Sequence, residues 1–505
     1  MNLPPSEGEA GASHGAMYPA TALLLLGTLL KQNGFDVEII DGWYERNYLE
    51  RLEIRLREEE SRLLYVGFSV MITQTSLALE ASKAVKSQAP GVPVVWGGPH
   101  ATLYPEQTLQ APHVDIVAIN EGTWTALELA CRIQSGKGFD GLKGIGFKDA
   151  ANHLVFTEPS DLEKIDSLPH FDFSILDIDR YLQPAGVSVF QREFSQCTEP
   201  LRVMPIVSGL GCPFRCQFCI NVILGRKYRF RSAASIVAEI ERLQELYQAN
   251  TFLFLDEDFF ISKKRALEFL DLVEKKGLHF NSRMWCRVDH FGDHFITDDI
   301  LRRLSNIGSC SLVMGGESAN PEILETLQKG ITPEQIRHSL TMIRQHPRIF
   351  PRYSFIVGLE GETLRQIRKT FRFCLELKRI HPGVDIAGPF IFRLYPGSPI
   401  FKRLVAKYQL SLPDTLEGWA QFTAQTGRAQ EMPWTPANFQ KHQEEIEFFS
   451  GLVMPFHSPI PFGPKTIYRF ILERLASFRL RLFWFSLPIE RAVFNWVQWL
   501  RNRAP

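Results

Sequence analysis

A chain of 505 residues is long enough for two to four domains, each with its own buried core. Its 45% hydrophobic and 22% charged content excludes a disordered chain, and 56 basic against 56 acidic side chains exclude a general pull toward nucleic acid or an acidic partner. The charges are unevenly placed: residues 461–505 hold eight Lys/Arg against Glu473 and Glu490, while residues 1–460 hold 48 basic and 54 acidic side chains.

The first residues lack the basic stretch and apolar core of a signal peptide, and the apolar run Ala22–Leu30 is about half the length of a membrane-spanning helix. Residues 1–16 are rich in Gly, Ala, Ser and Pro; Asn2-Leu-Pro-Pro5 looks like the end of a first strand, which suggests a truncated or misassigned start. A helix is expected over Ala20–Gln32, then strands over Asp36–Ile40, Leu63–Ser69, Val92–Trp96 and Val114–Ile119, with helices over Ser76–Ser87 and Thr125–Ile133. Runs of Val, Ile and Leu separated by helices imply a doubly wound, Rossmann-like parallel sheet over residues 1–140. Ligands of such sheets lie beyond the carboxyl ends of the strands, which here carry Ser69-Val70, Gly97-Gly98-Pro99-His100 and Glu121-Gly122.

Residues 141–200 read as a connector: a hairpin of Ile145–Phe147 and Leu154–Thr157, then an extended linker over Ile165–Tyr181. From Met204 onward, strands at 204–208, 251–255, 280–286, 310–315, 352–357 and 386–393 alternate with helices at 232–248, 263–276, 298–306, 333–346 and 362–379. Ser232 caps the first of these helices, and Ile236, Ile240, Leu243 and Tyr247 recur along it at helical spacing. Six strand–helix units over residues 201–410 predict a partial (β/α)6 TIM-type barrel, with its chemistry at the carboxyl ends of the strands. Residues 411–505 form a helical, basic and aromatic-rich C-terminal region.

Eight cysteines in so long a chain are no disulfide framework and suit a reducing, cytoplasmic setting. Five are scattered (Cys131, Cys197, Cys286, Cys310, Cys374) and three are bunched, just after the first barrel strand, in Gly209-Leu-Gly-Cys212-Pro-Phe-Arg-Cys216-Gln-Phe-Cys219. The C-x3-C-x2-C spacing can hold three irons of a cubane cluster and leaves the fourth open to a small molecule. A structural zinc site would need a fourth ligand, and the loop has none; the nearest are Cys197 upstream and His279 downstream.

This loop, its place after a barrel strand, and Phe218 before the last cysteine resemble the radical S-adenosylmethionine (SAM) superfamily. The resemblance implies a 4Fe–4S cluster on Cys212, Cys216 and Cys219, SAM chelated at the open iron, and one-electron cleavage of SAM to a 5′-deoxyadenosyl radical. It extends to other strand ends, where Phe218, Gly315, Gly316, Glu317 and Ser318 would face SAM together with Asp256, Asp258 and Arg287. Gly316 stands where the family usually has a bulky residue, and Glu360 replaces proline in the family's turn at Gly358-Leu-Glu-Gly-Glu362. Tyr395-Pro-Gly-Ser-Pro399 closes the sixth strand as in the family.

No G-x-G-x-x-G or Walker sequence follows any strand of the amino-terminal sheet. Tyr18-Pro19, Gly67-Phe-Ser69, Gly97-Gly-Pro-His-Ala101 and Ile119-Asn-Glu-Gly122 instead resemble the radical enzymes that carry a cobalamin-binding domain in front of the barrel. The resemblance implies cobalamin held by Tyr18, Ser69, Gly97, Gly98, Pro99, His100, Glu121 and Gly122. The Asp-x-His-x-x-Gly sequence that supplies a cobalt ligand in many such domains is absent, and His14 and His100 are the histidines near the expected site.

The implied function is that of a cobalamin-dependent radical SAM enzyme that abstracts hydrogen from, and methylates, an unactivated carbon. Similarity to the oxidative cyclase of anaerobic chlorophyll synthesis keeps radical cyclisation or oxidoreduction without methyl transfer as an alternative; a non-catalytic iron–sulfur redox or sensing protein is a second. The expected partners are a small-molecule or lipid-like substrate and an external flavodoxin- or ferredoxin-type electron donor, with no nucleic acid. In the C-terminal region Phe470, Ile471, Leu475, Leu480, Trp484 and Trp499 are interleaved with arginines. Two readings stand: a peripheral membrane contact, or helices packed on the barrel with arginines snorkelling outward.

Overall fold

A computed structural model of the chain describes residues 1–3, 18–162, 164–182, 193–194, 196–222, 225, 227–293, 295–425, 432–455 and 464–494. Pro4, Pro5, His14, Trp496, Trp499, Arg501 and Arg503 lie outside these residues.

Two sheets organise the α/β fold. The first holds β1 (Val66–Ser69), β2 (Val94–Gly97) and β3 (Ile116–Ala118) in parallel, followed by antiparallel β4 (Ile145–Lys148) and β5 (Leu154–Phe156). Successive side chains of a strand point to opposite faces, so Val94 and Trp96 enter one core with helix Thr75–Gln88 while Val95 enters another with helix Thr123–Gln134. Beyond β1 the main chain of residues 1–3 continues the sheet: the Ser69 N–H donates to Met1 O at 3.4 Å, and Asn2 N–H donates to Ile40 O at 3.0 Å. The strand predicted over Asp36–Ile40 is therefore reduced to a single parallel bridge, Asn2 to Asp41.

The second sheet is wholly parallel and runs in chain order: β6 (Val203–Ile206), β9 (Thr251–Phe254), β10 (Asn281–Cys286), β11 (Cys310–Glu317), β12 (Ile349–Val357) and β13 (Asp385–Ile391). Between β6 and β9 lies a short antiparallel ribbon, β7 (Gly209–Leu210) with β8 (Arg229–Phe230). Four of the five predicted helices between the strands carry a side-chain cap at their start. Ser232 Oγ accepts the Ser235 N–H, and Thr332 and Thr363 form capping boxes with Gln335 and Gln366. Along β12, Ile349, Pro351, Tyr353, Phe355 and Val357 are buried, while Phe350, Arg352, Ser354 and Ile356 are only partly covered.

The extended linker expected over Ile165–Tyr181 is instead packed structure. It folds into two 3-10 turns and the short helix Asp179–Leu182, and Phe171, Phe173 and Leu182 enter the large core of the second sheet. Pro169 and four aspartates interrupt the segment, but Phe173 meets Phe171 and Tyr247 edge-on, and that burial decides its path.

The C-terminal region divides. Helix Leu416–Gln425 returns to the first sheet and packs on helix Thr75–Gln88, whereas Gln443–Val453 and Pro464–Leu482 pack on each other, the first also on β13 and the second also on helix Leu364–Ile380. No helix among the described residues is long and apolar enough to cross a membrane.

Candidate active site

The cysteine loop hangs from the β7–β8 ribbon, and glycines make the ribbon's closure possible. Gly211 has φ +78°, and a Cβ there would sit 2.3 Å from Lys227 O; one at Gly209 would sit 2.6 Å from Asp256 Oδ2. The loop is then pinned from both sides: Gln217 N–H donates to Leu327 O at 2.9 Å, and Ile400 N–H donates to Gln217 O at 3.0 Å. Cys216 is buried, and Cys212 and Cys219 are half-buried. Burial pushes the Cys212 thiol up to about 11 and raises that of Cys219, so their ionisation requires bound cationic charge. Among the described residues no three His, Cys, Asp or Glu side chains converge on one point as a single ion would need. A cubane asks for something else, one iron per thiolate at separate corners, and three thiols without a fourth ligand fit that group.

The predicted strand-end residues surround this loop, but most already have protein partners. Glu317, at φ +57°, is buried and ion-paired to Lys329 at 2.8 Å. Burial would depress the Lys329 ammonium, but Glu317 holds it above the usual lysine value, and its charge reaches Cys216 and Cys219 as well. A Cβ at Gly315 would collide with the Glu317 carboxylate (2.2 Å) and one at Gly316 with the Phe355 ring (2.8 Å), so this departure from a bulky residue matches a filled neighbour. Ser318 turns into the interior and meets Asn320 and Thr370. Asp256 is buried on Ser208 and Arg265, and Asp258 caps Phe260 and meets His290 Nε2 at 2.7 Å. Arg287 is clamped to Asp289 and lies 3.8 Å over the Phe214 ring, inside the cysteine loop. Phe218 faces a cavity and lies 5.8 Å from the Lys329 ammonium.

At the first sheet, Ser69, Gly97, Gly98, Glu121 and Gly122 line one cavity of about 340 Å³. Gly98 has φ +88°, and a Cβ there would meet Val70 N at 2.8 Å, so the backbone alone forms that wall. Together with Gly67, these glycines leave the strand ends bare enough for a bulky ring ligand. Tyr18 is not at this edge; it packs on Phe194, Leu201, Val203 and Leu253. Pro99 and His100 open instead into a second cavity of about 1120 Å³, whose wall also includes Phe218, Cys219 and Ile220 of the cysteine loop. His100 is fully buried, with no hydrogen-bond partner for either ring nitrogen among the described residues, and burial holds its pKa down to about 4. Trp419 of the C-terminal region covers it edge-on at 6.0 Å.

Three features had no signature in the sequence. Arg229 of β8 forms a two-pronged ion pair with Glu121, tying the cysteine ribbon to the edge of the first sheet. Lys329 brings a positive charge beside the thiols, and Glu193 bridges Arg352 (2.9 Å) and Arg283 (3.7 Å) in the wall of the larger cavity. Each depends on partners far apart in the chain.

The profile of the radical SAM superfamily matches residues 206–374, and that of the B12 binding domain matches residues 10–130. The chain joins a B12-binding domain to a radical SAM domain. This radical SAM chain is thus an enzyme whose cofactors are a 4Fe–4S cluster, SAM and cobalamin. It is 28% identical over 408 residues to an uncharacterized methyltransferase of Pyrococcus horikoshii, covering 80% of this chain and 82% of that one. It is 26% identical over 395 residues to the anaerobic magnesium-protoporphyrin IX monomethyl ester cyclase of Cereibacter sphaeroides, covering 77% of this chain and 61% of the cyclase. The fold is shared with the cobalamin-dependent SAM radical enzyme OxsB with aqua-cobalamin and SAM bound: TM-score 0.67 and 16% identity, covering 92% of this chain and 70% of that one.

Proposed function

We propose that this enzyme methylates an unactivated carbon of a small or lipid-like molecule, using a first-sheet domain (residues 1–140, doubly wound), a connector (141–200), a partial barrel (201–410) and a C-terminal region (411–505). The observation that carries the reading is the cavity of about 1120 Å³, which has Cys219 in one wall and Pro99 and His100 in another. A single cavity thus meets the residues expected at both cofactors, as a transfer between them requires.

When bound, the cluster with SAM supplies a 5′-deoxyadenosyl radical and cobalamin supplies a methyl group. Cys212, Cys216 and Cys219 hold the cluster, and Lys329 balances the charge of the thiolates. Phe218, Gly315, Gly316 and Glu317 form the SAM-facing wall; Asp256, Asp258, Arg287 and Ser318 position the strand ends from behind it. Ser69, Gly97, Gly98, Glu121 and Gly122 cradle cobalamin, with Pro99 and His100 on the side of the shared cavity. The apolar lining, including Ile72, Phe350, Ile356 and Phe390, keeps water from a reactive radical. A flavodoxin- or ferredoxin-type donor supplies the electron. The alternative, radical cyclisation or oxidoreduction without methyl transfer, is supported by the Cereibacter relative.

Anaerobic protein reconstituted with iron, sulfide and hydroxocobalamin, then reduced in the presence of SAM, tests the reading. Formation of both 5′-deoxyadenosine and S-adenosylhomocysteine is expected. 5′-Deoxyadenosine alone favours the alternative; neither product removes the assignment.

A further inference from the structure

Helix Pro464–Leu482 has two apolar faces rather than one. Leu472, Ala476 and Leu480 are buried against the body of the protein. On the opposite side Phe470, Ile471, Leu475, Phe478 and Leu482 recur at helical spacing and are each at least 41% exposed. The stripe continues past the helix end, where Trp484, Leu487 and Ile489 are 48%, 75% and 66% exposed. A continuous row of large apolar side chains is uncommon on a surface that meets only water.

The charges beside the stripe are one-sided. Both acids of the described tail are consumed internally, Glu473 by Arg469 and Glu490 by Arg479. Arg474 and Arg481, both exposed, are interleaved with the stripe, and Arg474 lies over the Phe470 ring at 5.0 Å. Next to it, helix Leu364–Ile380 presents Arg365, Arg368, Lys369, Arg372 and Arg379 in a groove shared with Arg481 and Phe483. Glu322 and Glu376 are the acids of that groove, and Glu376 is already paired with Arg337.

The geometry points to an anionic phospholipid surface as the occupant of this face. Apolar side chains and a tryptophan enter the headgroup boundary, and the arginines meet lipid phosphates alongside them. A protein partner would have to offer an apolar groove and a row of acids together; a lipid surface offers both everywhere. The face also neighbours the active site, since helix Pro464–Leu482 packs on helix Gln443–Val453, which gives Glu447, Ser450 and Gly451 to the wall of the larger cavity.

The full-length protein, cluster-loaded, is floated with vesicles of phosphatidylcholine alone or mixed with phosphatidylglycerol. Flotation with the anionic vesicles, weakening as salt rises, is the expected result. Phe470→Ser with Phe478→Ser should lower the partition coefficient at least about tenfold with iron content unchanged. Arg474→Gln with Arg481→Gln should lower it by about fivefold for each arginine. The salt series on unaltered protein keeps the test valid if a variant folds poorly. Absence of flotation overturns the proposal, as does flotation that ignores salt and both variant pairs. A dimer by light scattering that the Phe470→Ser/Phe478→Ser protein cannot form, with no flotation, would make the face a contact between two copies and overturn it as well.

Discussion

Gly211 and Gly225 offer a matched pair of substitutions around the cysteine loop. Both have positive φ, +78° and +58°, so alanine costs about 1–2 kcal/mol of backbone strain at either. They differ in surroundings: a Cβ at Gly211 would lie 2.3 Å from Lys227 O, whereas nothing lies within 4 Å of one at Gly225. Ordinary contact begins near 3.4 Å, so Gly211→Ala must drive the carbonyl back by roughly 1 Å, through main chain that cannot rotate away. That movement opens the Gly209–Phe230 and Leu210–Arg229 pairing, at about 1 kcal/mol for each hydrogen bond lost. The closed loop should therefore be disfavoured by about 3 kcal/mol or more, over a hundredfold, in Gly211→Ala and by about five- to thirtyfold in Gly225→Ala. Iron and sulfide content after anaerobic reconstitution, and the rate of iron loss to a chelator, report on the loop directly. Gly211→Ala should hold little cluster and lose it quickly, with Gly225→Ala retaining clearly more. Equal cluster retention by the two variants would refute the reasoning, because strain without collision would then be the whole effect.

Alanine at Cys212, Cys216 or Cys219 should abolish the iron–sulfur absorbance, while alanine at buried Cys310 or Cys374 or exposed Cys131 should leave it; retention of four irons by the triple variant would remove the ligand assignment. Glu362 is buried with its Oε2 on the Gly358 and Leu359 amides, and burial raises its pKa to about 7. Because folding favours its protonated form, stability is lost as pH rises from the ordinary glutamate value through 7. Glu362→Gln should therefore gain about 2–3 kcal/mol on the parent between pH 5 and pH 8, read as the difference in thermal midpoint at the two values. His100 runs the other way. Its pKa is held near 4 by burial, so the unfolded chain takes up a proton first, and stability is lost as pH falls from about 6.5 through 4. His100→Phe should flatten that acid limb by up to about 3 kcal/mol; an unchanged limb would mean that the ring is not buried in the neutral state.

Much of the architecture was legible because it is local. Runs such as Thr251–Phe254 and Ile349–Val357 separated by amphipathic helices announce parallel strands, and Ser232, Thr332 and Thr363 announce helix starts within four residues of the groups they cap. The cysteine loop is equally local, since all its thiols fall within eight residues and their spacing carries the chemistry. Hydrophobic period says nothing, however, about which distant elements will touch. Phe171 and Phe173 turned an apparent linker into core, and the segment Asp36–Ile40 forms no strand of its own, leaving the single bridge from Asn2 to Asp41 beside it. Arg229 finds Glu121 across 108 residues, and Trp419 reaches Gln107 across 312, closing over His100 on the way. Such contacts form because packing two sheets buries charges and rings that must then find partners, and no spacing along the chain encodes which partner lies opposite. The residue types that can hold a cluster were set by the sequence; the placing of that loop against the carboxyl edge of the first sheet, with one cavity between them, was decided in three dimensions.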